Sequence, residues 1–202
     1  TQPLFAWEAL DDSPNLATIR EFLAAVSDGK LLGSLRHARG KGRNDYPVSV
    51  LWGVLLLTIA LRHPSSEACL SDLRRNRELR KRIGLESESQ VPLKWNLSRF
   101  LNVLGPEPHL SLLHEAFDAM IKRLGEVVID LGRDTAGDAA GLNARRQKSK
   151  KRSKSGLPDP TGGRKEYTDD EGQVVKVVEW FGYKFHLLVD VKHEVALAYQ
   201  IT

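Results

Sequence analysis

Apolar residues recur at three- and four-residue steps through the first two-thirds of the chain, the pattern of amphipathic helices. Ser13-Pro14 supplies an N-cap and a first-turn proline, and Leu16, Ile19, Phe22, Leu23 and Val26 then mark a helix that Asp28-Gly29 stops. A short helix is expected over Leu31 to His37, followed by a basic, glycine-containing loop from Gly40 to Asp45. Pro47 to Leu61 (PVSVLWGVLLLTIAL) is the longest apolar stretch, about 15 residues interrupted by Ser49 and Thr58. That falls short of the roughly 20 residues that span a bilayer, so it reads as a buried core helix and no membrane association is expected. His63-Pro64-Ser65-Ser66-Glu67 ends this helix and caps the next, which carries Ala68, Cys69, Leu70 and Leu73, runs on through Arg74 to Arg82 and closes at Ile83-Gly84. After a polar linker, Glu86 to Gln90, an amphipathic helix covers Trp95 to Leu104 and stops at Gly105-Pro106. The steps from Leu110 through Phe117 and Leu124 to Leu131 predict one helix from Glu107 to about Asp130, with Gly125 inside it.

Beyond Gly132 the period changes. Arg133 to Ala144 is rich in small residues without a helical stripe and predicts a short strand, whereas Lys148 to Gly163, rich in Lys, Ser, Gly and Pro, reads as a surface loop. From Val174 to Thr202 β-branched and aromatic residues dominate, and Tyr183, Phe185, Leu187, Val189 and Val191 alternate with Lys184, His186, Leu188, Asp190 and Lys192. Asp190 to Glu194 is the turn of a hairpin whose return strand is Val195 to Thr202. No repeat of solenoid period is present.

The 202 residues are 41% hydrophobic and 28% charged, enough for one large domain or two small ones and unlike a disordered chain. A single cysteine, Cys69, excludes an intramolecular disulfide and a Cys-rich zinc module, and its place among helix residues reads as a small buried side chain. No basic patch leads into an apolar run at the start, so no signal peptide is expected. Charge changes the picture more. Residues 145–165 hold nine basic side chains against one acid, Asp159, for a net +8; the whole chain is +4, which leaves −4 for the rest. A second concentration lies in Arg74 to Arg82, where six of nine residues are basic and Glu78 is the one acid. On a continuous helix these form one cationic face, suited to phosphates or simply to water.

Several familiar arrangements fail on inspection. Gly132-x-x-x-x-Gly137 is followed by Asp138 rather than the lysine a phosphate-cradling loop needs. His114-Glu115-Ala116-Phe117-Asp118 has aspartate where a zinc-protease helix has its second histidine. No Gly-x-Ser-x-Gly elbow exists, and His186, alone on the strand face opposite Phe185 and Leu187, reads as structural. Asp130, Asp134 and Asp138 stand four residues apart, but past Gly132 no helix aligns them.

The order of features is more specific. A helix ending Leu131-Gly132-Arg133, the segment Thr135-Ala136-Gly137-Asp138-Ala139-Ala140-Gly141-Leu142, a basic insert, and then Trp180-Phe181-Gly182-Tyr183-Lys184-Phe185-His186-Leu187-Leu188-Val189-Asp190 resembles insertion-sequence transposases of the DDE class. Tyr199-Gln200-Ile201-Thr202 is similar to theirs as well, and His63-Pro64-Ser65, Leu73-Arg74-Arg75-Asn76 and Arg99-Phe100-Leu101 resemble that family's helical amino-terminal domain.

The resemblance implies an α+β chain: an all-helical N-terminal domain over residues 1–106, expected to bind DNA, then over 107–202 the first part of an RNase H-like α/β core with a short strand, a β-hairpin and the basic insert at about 145–165. By motif Asp138 is the first catalytic, metal-binding acid, with Asp134 in reserve; the family holds Mg²⁺ or Mn²⁺ between three carboxylates, because hard cations prefer oxygen ligands. None of the later acids, Asp159, Glu166, Asp169, Asp170, Glu171, Glu179, Asp190 or Glu194, has the setting of the second aspartate or the glutamate: the first five fall in loop sequence, and Asp190 and Glu194 flank the hairpin turn. The chain is therefore expected to be the front part of a transposase and inactive by itself. The implied partner is double-stranded DNA at terminal inverted repeats, contacted by Arg74, Arg75, Arg77, Arg80, Lys81 and Arg82 and by Arg145, Arg146, Lys148, Lys150, Lys151, Arg152 and Lys154. An exposed sheet edge implies a homo-oligomer, and the expected location is the cytoplasm, with the nucleoid. The alternatives are a truncated, non-catalytic DNA-binding regulator and a metal-dependent nuclease sharing the sheet.

Overall fold

The structure, a computed structural model, describes residues 14–40, 46–144 and 159–202. The Ser13 cap, most of the loop before Tyr46 and most of the basic insert lie outside the described residues. Among those described, helices come first and a four-stranded antiparallel sheet follows, so the chain is α+β. Two compact units divide within the longest helix: one takes the described residues up to Leu104 together with Pro108–Ala116, the other Gly105–Glu107 and Phe117–Thr202.

The first unit is built around α3 (Val48–Ala60), which is apolar on all sides and is packed by α1 (Pro14–Ala25), α2 (Gly29–Arg39), α4 (Ser66–Arg75) and α6 (Lys94–Leu104). A helix without a polar face has to be surrounded. Val54 and Leu57 are accordingly sealed from solvent, beside Leu31, Leu35, Leu70, Leu73 and Leu97. Cys69 is buried in the same core, as its sequence setting predicts, and burial pushes its thiol pKa up. The Trp52 indole N–H donates to Asp28 Oδ2 at 2.6 Å, tying the α1–α2 turn to α3.

The helix predicted through Arg74–Arg82 is two helices. Asn76 ends α4 and starts α5 (Arg77–Arg82): its extended backbone leaves the helical region, and its side-chain oxygen accepts from the amides of Glu78 and Leu79 at 3.1 and 3.2 Å. Asparagine competes with the backbone for such hydrogen bonds and so favours a cap over a helix interior. The continuous cationic face expected from the sequence is therefore divided. A 3₁₀ turn, Glu88–Gln90, precedes α6, and α7 spans His109–Val127.

In the second unit, β1 (Thr135–Asn143), β2 (Thr161–Thr168), β3 (Val174–Asp190) and β4 (Val195–Ile201) form the sheet. The predicted short strand is thus nine residues long, and part of the predicted loop is β2, so Glu166 lies in a strand rather than in a loop. All pairs are antiparallel: the first half of β3 pairs with β2, and residues 185–190 are flanked by β1 on one side and β4 on the other. A Cβ on Gly182 would come within 1.8 Å of the Leu142 carbonyl oxygen, so the approach of β1 at that point requires glycine. Asp138, Leu187 and Tyr199 are directly opposite one another across β1, β3 and β4 and so share a face. Phe117, where α7 enters the second unit, packs edge-on against Tyr199 at 5.1 Å, which places that part of the helix over this face. The sheet is thinly covered nonetheless: Leu142, Tyr167, Val174, Val175, Val177 and Leu188 are all exposed.

Candidate functional site

Asp138 lies in the middle of β1, exposed, and lines an open cleft of about 660 Å³ formed by Gly137–Ala139, His186–Leu188 and Ala198–Gln200. The antiparallel ladder fixes how β1 is presented. Val191 N donates to Asp134 O and Ala144 N to Phe181 O, so even-numbered residues direct their backbone polar groups toward β3. Odd-numbered residues then direct theirs away, to an edge with no strand partner among the described residues. On that edge the Ala139 amide donates to Asp138 Oδ1 at 2.7 Å. Asp134, the reserve candidate, precedes the strand; it is exposed, and its backbone oxygen holds the start of the β3–β4 turn.

The start of β1 is fixed by an acid whose part the sequence reading left unassigned. Asp190, completely buried, accepts from Gly132 N at 2.6 Å and from His193 N at 2.8 Å. These two amides hold its carboxyl pKa below the usual aspartate range. Beside it Asp130 accepts from Lys192 and, at 3.0 Å, from His193 Nε2, and these contacts lower its pKa in turn. The segment between α7 and β1 is thus clamped onto the hairpin turn that follows β3. An aspartate opening a turn and bonding three residues on is a readable signal; the bond to Gly132, 58 positions away, has none.

His186 Nε2 lies 3.0 Å from Thr202 Oγ1, a side-chain contact between neighbouring strands. Among the described residues no three His, Cys, Asp or Glu side chains stand together in a way that would hold a metal ion. One carboxylate does not retain a divalent cation against water, so the residues described here do not by themselves fit the metal pair that the resemblance implies.

The proposed DNA-contacting cations separate into groups. Arg75 and Arg77 are exposed and in no ion pair among the described residues, whereas Lys81 is engaged by Glu78 at 2.7 Å. Arg74, Arg80 and Arg82 are partly buried, and Arg80 Nη1 donates to Leu73 O and Arg74 O at 2.8 and 2.7 Å, closing the end of α4. Arg80 is thus occupied as a helix cap. Arg145, Arg146, Lys148, Lys150, Lys151, Arg152 and Lys154 lie outside the described residues. Of the insert's remaining cations, Arg164 pairs with Glu166 at 2.6 Å and Lys165 lies over the Tyr167 ring.

Comparison with known families bears on the helical part. Residues 8–102 match a family described as Transposase domain (DUF772). This stretch is therefore similar to a transposase domain. The match takes in α1 to α5 and most of α6, and it stops before β1, so Asp138 lies outside it. No curated protein and no solved structure matches the chain. No helix among the described residues is long and apolar enough to cross a membrane, including the apolar α3 within the matched stretch.

Proposed function

We propose that the chain is the leading portion of a DDE-type transposase, with the transposase domain followed by the beginning of an RNase H-like catalytic core in which Asp138 is the first of three carboxylates. The observation that carries this reading is the setting of Asp138: an exposed acid in mid-strand, beside an antiparallel hairpin, on a strand whose outer edge has no strand partner among the described residues. An acid on a strand that pairs there would lie next to it, about 4.8 Å across the sheet. Mg²⁺ or Mn²⁺ is the proposed cofactor once the other carboxylates are in place, and this chain, with one acid, is proposed to be inactive alone. Double-stranded DNA is the proposed substrate, with exposed cations such as Arg75 and Arg77 answering phosphates. The open edge and the exposed valines of β3 favour a homo-oligomer.

The test joins the chain to the reading frame downstream of it and measures cleavage and strand transfer on the DNA ends that flank the gene, with Mg²⁺ or Mn²⁺. Asp138→Asn is expected to lower both by at least about 100-fold while DNA binding persists, as expected of a carboxylate that holds the ions; Asp134→Asn is expected to be near normal. Retained cleavage in Asp138→Asn refutes the assignment. Nicking without strand transfer favours a nuclease. The lack of a three-ligand cluster among the described residues supports the second reading, a DNA-binding regulator; DNA binding with no cleavage from the extended frame favours it.

A further inference from the structure

The helical unit contains a second concave site, remote in sequence from Asp138. It has about 390 Å³ between the last turn of α2, the chain entering α3 and one stripe of α6, at the lower end of the size range of small-ligand sites. Its floor is apolar and buried, made of Leu35, Val48, Leu51 and Phe100. Its rim is not. Trp95, Arg99 and Val103 follow each other at four-residue steps along α6, so they stand in one row on the helix surface. The Trp95 indole is 51% exposed, and the Arg99 guanidinium carbon lies 4.7 Å from its ring centroid. Arg39 faces them from α2, anchored on the Tyr46 carbonyl. Among the described residues no Asp or Glu lines the site, and Arg99 makes no ion pair.

We propose that this site receives a single unpaired nucleobase of DNA, stacked on the Trp95–Arg99 pair, with the adjoining phosphate held by Arg99. The inference rests on DNA being the substrate of the proposed transposase. Three features select this ligand over duplex or protein. A half-exposed indole carrying a cation offers a flat, sequence-tolerant platform for another flat ring. A base inside a duplex presents only its edges to a groove, so its face enters a concave site only when it is out of the stack. A rim whose described residues offer guanidinium and no carboxylate calls for a ligand that carries negative charge beside its ring, which is what a nucleotide is.

The experiment uses the chain itself and two short fluorescein-labelled duplexes of one sequence, one fully paired and one with a single bulged 2-aminopurine. The bulged duplex is expected to bind about tenfold more tightly, in line with the known strength of base stacking on aromatic side chains, and to lose 2-aminopurine fluorescence on binding. Trp95→Ala should level the two affinities and abolish the quench, Trp95→Phe should keep the preference, and Arg99→Ala should weaken it and lower the salt slope by about one. Trp95 is exposed, so its replacement leaves the core intact, which a melting curve checks. Equal affinity for the two duplexes, a quench that survives Trp95→Ala, or displacement by an acidic aromatic peptide but not by oligonucleotide overturns the proposal while DNA binding at other sites still stands. Failure to bind either duplex removes the DNA reading along with it. Asp138→Asn should leave the preference for the bulge unchanged, which separates this site from the strand-cleavage reading.

Discussion

Gly53→Ala tests the packing logic of the helical unit. An alanine inside a helix is ordinarily favoured over glycine by about 0.5–1 kcal/mol, because it loses less backbone freedom on folding. At position 53 the added methyl would meet Ile83 Cγ2 at 2.6 Å and Ile83 Cβ at 3.0 Å. Ile83 is itself buried, and its branched side chain has little rotamer freedom with which to retreat. Overpacking of this kind costs about 1–3 kcal/mol, so the substitution is expected to destabilise the unit by about 1–2 kcal/mol despite its better helix propensity. Ile83→Ala alone should cost about 2–4 kcal/mol through the cavity it leaves. In the double variant the 2.6 Å contact with Cγ2 is gone and the 3.0 Å contact with Cβ remains, so Gly53→Ala should then be near neutral, which gives a coupling of about 1–2 kcal/mol. Urea unfolding followed by helical circular dichroism reads all four proteins. A Gly53→Ala single variant as stable as the parent, or additive free energies in the cycle, would refute the argument.

Three further outcomes follow from the clamp and the divided basic run. Because the folded-state pKa of Asp190 is depressed, its contribution is fully present above the unfolded aspartate value near pH 4 and is lost as pH falls through the lower folded value. The sheet unit, followed by Trp180 fluorescence, should therefore weaken on acidification below about pH 4, and Asp190→Asn should flatten that dependence; an unchanged acid profile in the variant counts against the clamp. Arg80→Met should lower stability by about 1–2 kcal/mol in urea titration, because two helix-end carbonyls lose a charged donor. Arg77→Ala should leave stability alone and reduce the salt slope of DNA binding by about one. The reverse assignment of effects would show that Arg80 contacts phosphate.

The helices were legible because each carries its own period and its own stop: the apolar run around Val54 and Leu57 had to be central, and Ser65 and Gly105-Pro106 mark ends that the structure keeps. The hairpin after Gly182 was legible from alternation in the same way. What period could not convey was competition. Asn76 is one polar residue in a basic run, and only its two amide partners reveal that it splits the helix and turns Arg80 inward. β2 was concealed by Gly162 and Gly163, poor strand formers held in place by their partners on β3. Asp138 was singled out by motif resemblance, and the structure adds its place in mid-strand at the open edge. The groove beneath Trp95 was not legible, because it joins residues near positions 35, 48 and 99, and long-range adjacency leaves no local trace.

The Asp138–Ala139 contact ties two events together. The amide that now occupies this carboxylate is the donor that an incoming strand on that edge needs for its ladder. A newcomer there has to take the N–H from the aspartate, and in doing so it strips the acid of its local partner and leaves both oxygens open to whatever arrives next. On the proposed reading, completing the sheet and arming the acid are, at this position, one rearrangement.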